Sequence, residues 1–185
     1  MINTNQFKNG MTIIIDEKIF EIIEFQHVKP GKGGAFVRTK LRNFNTGAVI
    51  DRTFRAGEKF KTAHLQKKTM QYLYNDGSSY YFMDNESYEQ VPLPADFIGD
   101  TYLYVTEGMN VDVLFHNNKP LKVKPPISVE LKVVKAEPGL KGDTATGGTK
   151  PVTLETGLTV QVPLFINEGD VLKIDTRTGE YVERV

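Results

Sequence analysis

Residues 27–43, HVKPGKGGAFVRTKLRN, carry five basic side chains and no acidic one, in a 185-residue chain whose 23 Lys+Arg balance 23 Asp+Glu. At its centre Lys32 stands among Gly31, Gly33 and Gly34, with Pro30 before them. Glycine tolerates positive φ and lets backbone approach a ligand closely, and proline stiffens the base of a loop. Lysine carries a compact point charge that reads phosphate in many geometries. A solvated tight turn uses the same residue types, so spacing alone leaves both readings open.

Patterns that support enzyme chemistry are missing from this stretch and from the rest of the chain. A phosphate-binding loop of the Walker type needs Ser or Thr after its Gly-Lys, and Gly33 stands there. The dinucleotide fingerprint fails at Phe36, where its third glycine would be. His27, His64 and His116 are far apart and belong to no spaced ligand motif, so each is expected in a turn or at the surface. Asp84 and Glu86 could form a carboxylate pair, but without a partner motif they read as a solvated strand end. With no Cys there is no thiolate nucleophile, disulfide or cysteine-held metal. The expectation is a protein that is not an enzyme and holds no metal and no cofactor.

The elements that must position the basic loop are strands. MTIII and IFEIIEF flank the polar turn Asp16-Glu17-Lys18, and AFVRTKLRN alternates with period two. Val37, Thr39 and Leu41 fall on one face and Phe36, Arg38, Lys40 and Arg42 on the other, which predicts a basic stripe. AVIDRTF adds Arg52 and Arg55 nearby. Four or five short strands in about 60 residues suggest a small SH3-like barrel. The middle third predicts a hairpin about Asn75-Asp76-Gly77, one helix with Asp96 as N-cap running through FIGDTYLYV, and two strands joined at Asn117-Asn118. Pro125-Pro126 ends that segment. The last third is again short alternating strands between glycine-containing turns, and both later segments have the size of OB barrels.

The predicted fold class is therefore all-β, three consecutive small barrels, with domains over residues 1–64, 65–127 and 128–185. Charge divides along the same lines: 11 Lys+Arg against 6 Asp+Glu in residues 1–63, 5 against 8 in 64–128, and 7 against 9 in 129–185. One end is built to meet a polyanion. The N-terminus lacks an export signal and no apolar run reaches the roughly 18 residues of a membrane span, so a cytoplasmic protein without membrane contact is expected.

The stretch HVKPGKGGAFVRTKLRN, with KPVTLETGLTVQVPLFINEGDVLKIDTRTGEYVERV at the end of the chain, closely resembles the bacterial elongation factor P family, in register over the whole length. The resemblance implies a KOW-type SH3-like barrel and two OB barrels in an L that imitates tRNA. It implies a monomeric, non-enzymatic factor that binds the ribosome between peptidyl and exit sites, beside peptidyl-tRNA, and relieves stalling on consecutive prolines. Lys32 matches the tip directed at the peptidyl transferase centre, a position that a modifying enzyme extends covalently in many bacteria. Lys29, Arg38, Lys40, Arg42, Arg52 and Arg55 would face tRNA and rRNA phosphates. Gly142, Asp143 and Thr144 match a loop at the exit-site codon, and Tyr181 and Arg184 match C-terminal residues linked to activity. Two other readings remain: a paralogue with different stall specificity, and a general RNA-binding OB module. The second is weakened by the net negative charge of both later segments, since OB binding needs basic grooves.

Overall fold

The structure, a computed structural model, describes residues 1–139 and 148–185. It is nearly all β, built on three sheets. Its chain divides into two compact units, Met1–Lys67 with Leu114–Lys122, and Lys68–Val113 with Val123–Val185.

The first sheet has six strands in the order β1-β6-β2-β3-β4-β5, where β1 is Ile2–Asn3, β2 Thr12–Ile15, β3 Lys18–Val28, β4 Phe36–Asn43, β5 Val49–Arg55 and β6 Lys59–Thr62. Asp16 and Glu17 take φ of 48° and 62°, the left-handed pair that a two-residue hairpin between β2 and β3 requires. Alternation then sorts side chains. Val37 and Leu41 are fully buried on one face of β4, with Arg38 and Arg42 exposed on the other. The core gathers Phe7, Ile13, Phe20, Ile22, Val37, Leu41, Phe54 and Phe60, in which the Phe54 and Phe60 rings meet edge to face at 4.7 Å. Thr4 closes the turn between β5 and β6. Its buried hydroxyl accepts from the Gly57 N–H at 2.8 Å and donates to the Arg55 carbonyl at 3.3 Å.

A five-stranded sheet follows in the order β11-β10-β7-β8-β9, with β7 Gln66–Asn75, β8 Ser79–Asp84, β9 Gln90–Pro94, β10 Asn110–His116 and β11 Lys119–Lys124. Asp76 organises the β7–β8 turn: its Oδ1 accepts the N–H groups of Ser78 and Ser79 at 2.9 and 2.8 Å. Those donors, and the Tyr81 hydroxyl at 3.0 Å, hold the Asp76 carboxyl below the usual carboxylate range. Asn117 and Asn118, at φ of 50° and 61°, make the β10–β11 turn.

The helix expected from Asp96 is shorter than the periodicity of Phe97, Ile98, Thr101, Tyr102 and Val105 suggests. A single α turn, α1, spans Ala95–Ile98 after Pro94, and Asp96 lies inside it rather than capping it. Gly99 at φ 53° breaks the α geometry, and Gly99–Tyr104 continue as a 3₁₀ helix.

The third sheet runs β14-β13-β12-β15-β16, with β12 Ser128–Ala136, β13 Thr149–Leu154, β14 Thr159–Pro163, β15 Val171–Asp175 and β16 Glu180–Arg184. Strand β12 serves two partners: residues 128–132 pair with β15, and from Val133 onward the strand pairs with β13, in a ladder that is irregular between Val133 and Lys135. Such a switch lets a short sheet curl around one core. That core is aliphatic, from Val129 and Leu131 through Val152, Leu154, Val162 and Ile166 to Leu172 and Ile174. Tyr104 and Met109 pack against it, and the Thr156 hydroxyl donates to the Leu103 carbonyl at 2.6 Å, within the unit formed by Lys68–Val113 and Val123–Val185.

Candidate functional site

The ladder between β3 and β4 ends at the pair Val28↔Phe36, which leaves residues 29–35 outside any strand. Residues 29–34 are exposed, and the loop's base is tied down by the Ala56 N–H donating to the Ala35 carbonyl at 3.0 Å. Only Gly33 uses the left-handed freedom of glycine, at φ 107°, with Pro30 Cγ 3.9 Å from where a Cβ would stand. Gly31 and Gly34 face open space and have no positive φ, so bare backbone is what they offer to a neighbour. Lys32 has no hydrogen-bond or ion-pair partner among the described residues. The projecting lysine foreseen from sequence is present.

The stripe on β4 is also present, but it is not undiluted. Register places Glu21 opposite Arg42 and Glu24 opposite Lys40, and Asp51 faces Lys40 from β5. Arg42 Nη1 lies 3.5 Å from Glu21 Oε2, and Lys40 Nζ lies 3.9 Å from Glu24 Oε2. Exposed pairs of this kind contribute about 0–1 kcal/mol. They are weak enough to be exchanged for phosphate. Arg38 differs, since it lies over the Phe36 ring at 5.7 Å and faces Gln26 and Thr53, with no carboxylate directly opposite. A shallow open groove runs here between Gln26, Arg38, Lys40, Asp51 and Thr53. Arg55 is paired with Phe36 and belongs to this face. Arg52 pairs with inward-facing Thr39 and shares its side of β5 with Ile50 and Phe54, yet it is exposed on this edge strand and also lines the groove.

The third barrel presents the two C-terminal candidates differently. Tyr181, paired with Ile174, is half-buried against the aliphatic core. Arg184 is exposed, with Nη1 3.7 Å from Asp170 Oδ2 and its guanidinium 5.3 Å from the Phe165 ring centre. Gly142, Asp143 and Thr144 lie outside the described residues.

Asp84 is not the solvated strand end read from the sequence. It is buried at the end of β8, where its Oδ1 accepts the Glu86 N–H at 2.9 Å and its Oδ2 pairs with Lys68 Nζ at 3.1 Å. Foremost the Glu86 N–H, then the Lys68 side chain, hold its carboxyl below the ordinary 3.8. Glu86 is exposed and takes no part through its side chain, which makes Asp84 a turn cap rather than half of an acid pair. His64 and His116 are brought together despite 52 residues of separation: His116 Nδ1 is 3.1 Å from the His64 carbonyl. No group of His, Asp or Glu among the described residues could hold a metal ion, and no helix is long and apolar enough to cross a membrane.

Sequence reasoning missed Glu21 and Glu24 as partners of the stripe and Lys150 as a buried lysine in the third barrel. Simple alternation along β3 sets Glu21 and Glu24, three residues apart, on opposite faces; the irregularity between Ile22 and Glu24 is what brings both opposite the basic residues of β4.

Three family models match this chain: the elongation factor P KOW-like domain over residues 3–60, the elongation factor P OB domain over 65–123, and the elongation factor P C-terminal domain over 129–184. Among curated relatives, elongation factor P of Moorella thermoacetica is 59% identical over 184 residues and that of Natranaerobius thermophilus 58% over 185; this chain is covered in full, and 100% and 98% of the relatives. Among solved structures, a eukaryotic-type translation initiation factor 5A from Methanococcus jannaschii aligns with 67% of this chain and 93% of its own at TM-score 0.55. A family member from Naegleria fowleri aligns with 66% and 96% at 0.51. At 22% and 18% identity those two speak for the fold alone. Three successive domain models and full-length identity well above half place the basic, glycine-flanked hairpin on a known scaffold, and the chain belongs to the elongation factor P family.

Proposed function

We propose that this protein binds the ribosome beside peptidyl-tRNA and stimulates peptide-bond formation where consecutive prolines slow it. The observation that carries the reading is Lys32, exposed at the tip of a seven-residue loop and without an internal partner among the described residues, at the end of a strand whose outer face bears Arg38, Lys40 and Arg42. The stripe, with Lys29 and Arg55, meets backbone phosphates of the acceptor stem and of rRNA. Such contacts position without reading sequence. Lys32, bare or covalently extended by a modifying enzyme, then reaches the reacting end. Proline's ring restricts its geometry as donor and acceptor, and a factor that holds the CCA end still removes part of the entropic barrier. The ribosome performs the chemistry and the factor contributes alignment, without cofactor, as a cytoplasmic monomer. In the third barrel, Gly142, Asp143 and Thr144 approach the exit-site codon, with Tyr181 and Arg184 supporting that end.

The test is a reconstituted translation reaction with a Pro-Pro-Pro reporter. Lys32→Ala is expected to abolish rescue at every factor concentration while melting is nearly unchanged, since exposed substitutions shift stability by no more than about 0.5 kcal/mol. Rescue of the alanine variant by excess protein would reduce Lys32 to an affinity contact and end the alignment reading.

A further inference from the structure

A cleft of about 300 Å³ opens in the unit formed by Lys68–Val113 and Val123–Val185, and its lining combines tyrosine rings with carboxylates and contains no lysine or arginine. That volume is at the small end of ligand pockets. Three rings form a row there. Tyr72 and Tyr80 lie 5.8 Å apart between centroids, and Tyr80 and Tyr102 6.4 Å apart, both pairs tilted. Tyr72 is buried and its hydroxyl accepts from Asn75 Nδ2 at 3.0 Å, which fixes one end of the row. Tyr102, on the 3₁₀ segment Gly99–Tyr104, is 42% exposed and keeps ring surface open to a neighbour. Neither the Tyr80 nor the Tyr102 hydroxyl has a hydrogen-bond partner among the described residues.

Two carboxylates share the cleft. Glu155, directly after β13, is held by the backbone of β12: its Oε1 accepts the Lys132 N–H at 2.9 Å, and its own N–H donates to the Lys132 carbonyl at 2.8 Å. Glu107, ahead of β10, is exposed and has no hydrogen-bond or ion-pair partner among the described residues. Buried Val105 adds an apolar surface to the lining. Negative charge beside π faces, with no cation in the lining, is complementary to an organic cation, which the carboxylates and the ring quadrupoles both attract. An anion would be repelled, and a neutral ligand would leave the carboxylates uncompensated. A guanidinium is best met by a coplanar fork, whereas a compact ammonium turns its three N–H donors to separately placed acceptors, here Glu107, Glu155 and the Asn75 carbonyl oxygen.

We propose that this cleft is a binding site for a primary alkylammonium group, presented either by a free aliphatic amine or by the end of a lysine side chain. Glu107 supplies the charge-assisted hydrogen bond, Tyr80 and Tyr102 supply π faces, and the alkyl part lies against Val105. The site is independent of the ribosomal reading, since none of its residues belongs to the Lys32 loop or the basic stripe.

The test is an NMR titration of the full-length protein with n-butylammonium at constant ionic strength, beside n-butanol as the neutral molecule of the same shape and Nα-acetyl-lysine amide as the side-chain form. Saturable shifts of the Tyr80 and Tyr102 ring signals and of the Glu107 amide, with the core amides of Val129 and Ile174 unmoved, support the site. Tyr102→Leu is expected to weaken binding roughly two- to five-fold and Glu107→Gln roughly ten-fold. The Val129 and Ile174 amides report whether each variant keeps its fold, and if Tyr102→Leu disturbs them, Glu107→Gln at its exposed position decides alone. Equal shifts from n-butanol, shifts that do not saturate, or unchanged affinity in Glu107→Gln overturn the proposal. A lysine form that binds much more weakly than n-butylammonium assigns the cleft to a free amine, and equal affinity assigns it to a lysine side chain.

Discussion

Two buried threonines in the first barrel should respond to the same substitution with opposite signs. Thr39 is 2% exposed and its Oγ1 has no hydrogen-bond partner, whereas Thr4, fully buried, both accepts from Gly57 and donates to Arg55. Thr→Val keeps the branched shape and exchanges hydroxyl for methyl. At position 39 the exchange removes an unmet hydroxyl, whose burial costs about 1–3 kcal/mol, and adds a methyl to the Val37–Leu41 face. Some of that is lost to imperfect fit, since Thr and Val are not interchangeable in packing, so the expected gain is about 1 kcal/mol. At position 4 the Gly57 N–H and the Arg55 carbonyl lose their partner. Gly57 and Arg55 are exposed enough for water to take over part of the role, which sets the expected loss at the low end, about 1 kcal/mol. The chain has no Trp and several barrels, so a single fluorescence melt would be neither sensitive nor two-state. Native-state hydrogen exchange at the amides of Val37 and Leu41 reads this barrel directly. One kcal/mol corresponds to a roughly five-fold change in exchange, slower for Thr39→Val and faster for Thr4→Val. Faster exchange in Thr39→Val would mean the hydroxyl is satisfied in solution and the argument from its isolation is wrong.

Three further outcomes follow from particular contacts. Removing the carboxylates that dilute the stripe, with Glu21→Gln and Glu24→Gln, should tighten association with ribosomes, whereas Arg38→Ala should weaken it and reduce the salt slope by up to about 0.9; a salt series on stalled ribosomes checks both, and identical slopes would make the stripe a merely solvated face. Gly179→Ala should cost about 1–2 kcal/mol for its φ of 75° alone, plus a collision with the Tyr104 hydroxyl, 2.8 Å from the new Cβ. In a Tyr104→Phe background the collision part should fall away, so a urea double-mutant cycle that finds strict additivity refutes the contact. Asp84, whose folded pKa lies below its ordinary value, contributes stability above that ordinary value and loses it as pH falls through the depressed one. Asp84→Asn should flatten the acid limb of the melting profile below about pH 3.8, and an unchanged limb would show that its carboxylate is not the titrating group.

Much of the architecture was legible because it depends on neighbours in the chain. Alternation along β4 separates Val37 and Leu41 from Arg38 and Arg42 without reference to anything distant. The turns at Asp16-Glu17, Asn75-Asp76-Gly77 and Asn117-Asn118 are written in residues that tolerate left-handed backbone or supply an Asx acceptor. Lys32 at a glycine-flanked tip belongs to the same class, and so does the absence of any cysteine chemistry. The helix from Asp96 was misjudged for a local reason that periodicity ignores: Gly99 at positive φ stops an α helix however regular its apolar residues are.

The tertiary structure decided which side chains meet. Glu21 and Glu24 are separated from Arg42 and Lys40 by 21 and 16 residues, and only the β3–β4 register places them face to face. Asp84 becomes a buried cap because the turn after β8 folds its own N–H groups back onto it and Lys68 arrives from β7. Lys150 reads as an ordinary basic residue until the curl of β12 onto β13 sets it inward with Val152, and its carbonyl partner is thirteen residues away. Hydrophobic pattern and turn chemistry are properties of a few consecutive residues and can be read off the chain. Register and the partner of a charge depend on which distant strands pair, and folding must supply them.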